Sequence, residues 1–150
     1  MTPRQIDLVK TSFAKIAPLK EQAAELFYCR LFELDPSLRL MFRSDMTEQK
    51  QKLTAALALV VAGLDKVETI LPGLKEMGRK HHHDYGVQKR HYEVVGAALL
   101  WTMEIGLGDG WTKELADAWS AAYAVLTGAM MEGADAPRPT RKATTTTTAA

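Results

Sequence analysis

Apolar residues recur three and four positions apart along nearly the whole chain, the period of a helix with one buried face. Ile6, Val9, Phe13 and Ile16 form the first stripe, after a Thr2-Pro3 pair suited to opening a helix. Pro18 interrupts it. A second helix is expected over residues 19–34, with Leu26, Phe27, Leu31, Phe32 and Leu34 apolar and Tyr28 among them. Asp35-Pro36 ends it, because a residue before proline avoids the helical region. A short helical piece over 37–42 leads into the polar loop Arg43-Ser44-Asp45. Asp45 with Glu48 has capping-box spacing and opens a helix to about residue 64. There Gln49 stands in the first turn, above Leu53, Leu57 and Val60 on one face.

After a linker over 65–69, the segment 70–85 predicts a helix with Pro72 in its first turn and Gly86 as its stop. A helix over 90–107 carries Val94, Val95, Ala98, Leu99 and Thr102 on one side. Thr112 suits the N-cap of the last helix, whose face bears Leu115, Trp119, Tyr123, Leu126 and Met130. No alternating, β-branched run reads as a strand. The expected class is all-α. Beyond residue 134 the sequence becomes proline- and threonine-rich and ends in TTTTTAA, too poor in apolar residues to fold. The expected organisation is one domain over 1–134 and a disordered tail over 135–150.

Composition narrows the function without naming it. Of 150 residues, 47% are hydrophobic and 25% charged, and 19 basic against 18 acidic residues leave a net charge of +1. Such a balance lacks the basic footprint of a nucleic-acid binder. No apolar run approaches the roughly 20 residues that span a bilayer. The single Cys29 has no disulfide partner, and the N-terminus lacks a signal-peptide core, so a cytoplasmic setting is expected.

Three consecutive histidines are the chain's one concentration of chemistry. On a helix His81 lies above Met77, Leu74 and Ile70, His82 above Gly78, Lys75 and Leu71, and His83 above Arg79, Glu76 and Pro72. Only the stripe of His81 is apolar throughout, and only that face is expected to be buried. A histidine there needs a partner for its ring nitrogens, and a metal is one. A hydrogen-bonded core histidine is the plainer reading. Neighbours about 100° apart cannot converge on one ion, and no C-x-x-C or H-x-x-x-H spacing supports zinc.

Taken in order, several segments resemble the globins, most closely the single-domain bacterial globins related to flavohaemoglobin haem domains, of the Hell's Gate type. These segments are LFYCRLF at 26–32, Asp35-Pro36, Phe42, Gln49 with Leu53, LPGLKEMGRKH at 71–81, YGVQKRHYEVVG at 85–96 and DAWSAAY at 117–123. The resemblance covers residues 6–133. It implies a globin fold with helices packed around a haem, expected to be haem b, and His81 as the iron ligand. It places Phe42 against the haem, and Leu53, Leu57, Met77, Tyr85, Val87, Tyr92 and Val95 around it. Tyr28 and Gln49 match the distal pair that meets a bound ligand. Counting back from Tyr85-Gly86-Val87 puts the histidine at His82 instead; helical phase favours His81. Tyr92 matches a proximal tyrosine whose acidic partner would fall at Ala134, while Glu132 lies two residues early on another face.

Two donors of this kind, at roughly 0.5–1.5 kcal/mol net each, slow ligand loss about ten-fold or more. The implied function is reversible, tight binding of O2, with NO and CO as further ligands. The alternative is nitric oxide dioxygenation with electrons from a separate, unidentified reductase. A haem-free interaction or sensor module is the third reading, and has no need for His81, Phe42 and the polar pair together.

Overall fold

The computed structural model describes residues 1–42 and 46–135. Helix α1 (Pro3–Ile16) opens with a capping box: the Thr2 hydroxyl accepts from the Gln5 N–H, and the Gln5 side chain accepts from the Thr2 N–H. Pro18 falls in a short 3-10 turn, Ala17–Leu19, that hands the chain to α2 (Lys20–Leu34). Asp35 stops α2 and caps the next 3-10 segment, Pro36–Met41, its carboxylate accepting from Ser37. Helix α3 is Met46–Ala62 and α4 is Val67–Tyr85. Helix α5 (Lys89–Leu107) and α6 (Lys113–Asp135) complete the set. Thr112 caps α6 through its hydroxyl, which accepts from the Leu115 N–H at 3.1 Å. Among the described residues there is no strand.

The core gathers where the predicted stripes meet. Val9, Ile16, Phe27, Leu31, Leu74, Ala98, Leu99, Leu115, Trp119 and Met130 are all buried. Helix α4 packs against α6, α2 against α5, and α1 against α6. Inside the α1–α6 contact, the Trp119 indole N–H donates to the Ser12 hydroxyl at 2.8 Å, which in turn donates to Leu8 and Val9 carbonyls. That chain satisfies two polar groups that burial would otherwise leave costly.

Three expectations change. The segment 65–69 is not a linker: a 3-10 turn at Leu64–Lys66 runs directly into α4 at Val67. Pro72 is therefore the sixth residue of α4, not a first-turn residue, and cannot donate to the Glu68 carbonyl. Its ring is exposed, so water can serve that carbonyl. Second, α6 continues to Asp135, one residue past the expected domain end. The rest of the expected tail, and the Asp45 end of the expected capping box, lie outside the described residues. Third, the stripe below His82 also holds a buried position: Gly78 is buried against α6, while Lys75 and Leu71 are half-exposed.

Candidate functional site

Helix α4 fixes the three histidines in three different environments. The Nδ1 of His81 is 2.7 Å from the Met77 carbonyl, one turn back. A carbonyl only accepts, so Nδ1 carries the proton and Nε2 keeps its lone pair. Burial holds this imidazole below the ordinary histidine pKa and therefore neutral at pH 7. His82 is exposed, and its Nδ1 is engaged at 2.9 Å by the carbonyl of Val87. His83 is half-buried, with a Nε2 that is shut from water and has no partner. Gly86 closes the helix at φ 75°, a left-handed turn that glycine enters without strain. The N–H groups of Gly86 and Val87 donate to the carbonyls of His82 and His81. His81 is thus held at its ring and at its backbone.

Across from α4, Tyr28 of α2 is packed by aromatic rings: Phe27 at 5.0 Å, Phe42 at 5.4 Å and Phe32 at 6.0 Å between centroids. Its hydroxyl donates to the Gln49 backbone carbonyl at 3.3 Å. Burial pushes the Tyr28 phenol up to about 12, so it is a donor throughout the neutral range. Gln49 is half-buried in the first turn of α3, above Leu53 and Leu57, which are half-buried too. Among the described residues α3 leans on α2 and α4 leans on α6, with little contact between α3 and α4. Phe42, Leu53, Leu57, Met77 and Val95 are all only partly withdrawn from water, and all of them but Met77 pack against the buried core. Tyr85 stands edge-on to His81 at 6.0 Å and is 57% exposed.

Tyr92, on α5, is buried, and its hydroxyl has no hydrogen-bond partner. Glu132 is turned away toward Lys75, at 3.2 Å. The Tyr123 ring lies against Gly96, where an added Cβ would stand 2.6 Å from Cε2, and its hydroxyl donates to the Tyr92 carbonyl at 2.6 Å. His82, Val87, Tyr92 and Ala134 share an open cavity of about 370 Å³. Val87 also accepts from the His82 ring through its carbonyl. No group of three or more His, Cys, Asp or Glu among the described residues could hold a metal ion without a further ligand system.

The globin family pattern matches residues 25–130. The chain is 30% identical over 131 residues to a flavohemoprotein of Bacillus subtilis, covering 85% of this chain and 33% of that protein. A flavohemoprotein of Bordetella parapertussis is 33% identical over 129 residues, 84% of this chain and 32% of its own length. The chain thus spans about a third of these relatives. It is also 26% identical over 147 residues to neuroglobin-1 of Oncorhynchus mykiss, covering 89% of this chain and 92% of that one. A crystal structure of a hexacoordinated heme protein from an anhydrobiotic tardigrade superposes with a TM-score of 0.81 at 20% identity, covering 91% of this chain and 96% of that one. The chain belongs to the globin family.

Proposed function

We propose that this globin binds a haem between α3 and α4, where His81 would hold the iron, and there binds O2 reversibly. The residues present fit such a group. Phe42, Leu53, Leu57, Met77 and Val95 remain half-exposed, and a flat apolar ring set between α3 and α4 would cover them. One observation carries the reading: His81 combines a proton fixed on Nδ1 by the Met77 carbonyl, a lone pair on Nε2, and burial that keeps the ring neutral. His82 shares that tautomer, its Nδ1 tied to the Val87 carbonyl, but its ring is exposed. When bound, haem would supply an iron that takes a gaseous ligand.

The protein's part is to hold and select. Phe42 and the α3 leucines exclude water from one face, and Met77 orients the imidazole on the other. Tyr28 offers an O–H held in place by three aromatic rings, with Gln49 next to it at the start of α3. Both favour a ligand that accepts hydrogen bonds, and so O2 over CO.

Nitric oxide dioxygenation by the same pair is the second reading, supported by the likeness to flavohemoproteins. Its turnover requires a reductase. Reversible binding is favoured because the Tyr92 hydroxyl has no carboxylate on it and Glu132 points to Lys75. Hemin titration of His81→Ala, His82→Ala and His83→Ala tests the assignment. Only the first is expected to lose tight uptake; a loss confined to His82→Ala would move the ligand there.

A further inference from the structure

Helices α4 and α6 meet backbone to backbone at two glycines. A Cβ added to Gly78 would overlap the carbonyl of Met130, and a Cβ added to Gly133 would overlap the carbonyl of Lys75. The arrangement is reciprocal: Gly78 follows Lys75 by three residues, and Gly133 follows Met130 by three, so each helix contributes one carbonyl and one notch. Both glycines are buried. Helix pairs that interleave side chains keep their axes about 8–10 Å apart, and removing the Cβ atoms lets backbones come closer. An ion pair, Lys75 to Glu132 at 3.2 Å, spans the same crossing. The other glycines inside these helices behave differently: a Cβ on Gly73 or on Gly128 meets nothing within 4 Å.

His81 lies three residues beyond Gly78, and its ring is tied to Met77, the residue next to that glycine. Whatever sets the position of α4 at Gly78 therefore sets the position of the His81 ring. We propose that Gly78 and Gly133 are positioning residues for His81: their crossing fixes how far α4 stands from α6, and thereby where Nε2 meets the iron. This rests on the haem reading above. Packed interfaces shift between discrete arrangements and do not stretch smoothly. A methyl group at either notch has only backbone to push against, so α4 must move as a unit, carrying the imidazole with it.

The test compares Gly78→Ala and Gly133→Ala with Gly73→Ala and Gly128→Ala, which add the same methyl to the same two helices. The readouts are the iron–histidine stretching band of the reduced protein and the rate of haem loss. The crossing variants are expected to shift the band and lose haem about ten-fold faster. The other two should retain the wild-type band. If all four match the wild type while hemin binds normally, the proposal is overturned and the haem reading stands. A wild-type chain that takes up no hemin overturns both. Should neither crossing variant fold, hydrogen exchange of the wild type decides. Hemin must slow exchange over residues 127–135 together with 74–81, and unchanged exchange over 127–135 overturns the proposal.

Discussion

The Tyr28 hydroxyl reaches the backbone carbonyl of Gln49 at 3.3 Å and so ties α2 to the first turn of α3. For an O–H donor this is long, beyond the usual 2.7–2.8 Å, and a better acceptor placed nearby can draw the hydroxyl away. The ring cannot follow freely, because Phe27, Phe32 and Phe42 hold it. The arrangement suits a donor that waits on a weak partner until a ligand arrives.

Tyr28→Phe keeps the ring packing and deletes the donor. O2 dissociation is expected to quicken about ten-fold, the worth of one hydrogen bond of about 1.4 kcal/mol, with CO release changed much less. Cys29→Ser, next in sequence but exposed, should leave both rates alone. Flash photolysis or stopped-flow mixing measures all three. Equal rates for O2 in wild type and Tyr28→Phe would remove Tyr28 from the ligand site.

Ser12→Ala should lower stability by about 1–3 kcal/mol, because it leaves the buried Trp119 indole N–H without an acceptor. Urea unfolding measures the loss. Ligand kinetics should not change, since the α1–α6 contact lies in the core and not beside His81 or Tyr28.

Acid should weaken the fold through His91. This residue is buried, and its Nδ1 accepts from the Gln88 N–H at 2.8 Å, closing the cap of α5. Burial, with Arg90 nearby, lowers its pKa below the ordinary 6.5. The unfolded chain therefore takes the proton first, so stability is full above about pH 6.5 and falls as pH drops through the folded value. A proton on Nδ1 also abolishes the acceptor. Urea midpoints at about pH 7.5 and 5.5 should differ, and His91→Gln should narrow the difference. A midpoint that is flat over this range would contradict the argument.

Most of the fold was legible because the apolar stripes are helical in period and their ends carry ordinary signals. Thr2, Asp35, Gly86 and Thr112 each do what their residue type suggests. Pro72 misled, since proline suits a first turn yet an exposed helix interior tolerates it here. The tertiary contact at Gly78 was hidden for a different reason. A glycine inside a helix signals only that something comes close, and the partner, Met130, is 52 residues away in sequence. Equally, nothing local to His83 shows that its Nε2 would be enclosed without a partner. The periodicity of α4 put His81 and His82 on different faces, and in the structure each ring engages a backbone carbonyl, Met77 and Val87, with His81 the less exposed of the two. The pairing of Tyr28 with a backbone carbonyl of Gln49 could not be read from side-chain chemistry.

The most direct measurement is the absorption spectrum of the purified protein with hemin, first oxidised, then reduced, then exposed to CO or O2. A Soret band that moves on reduction and again on adding the gas, and that His81→Ala abolishes, is the expected result. A protein that leaves hemin's spectrum unchanged, or a His81→Ala variant indistinguishable from wild type, would contradict the account.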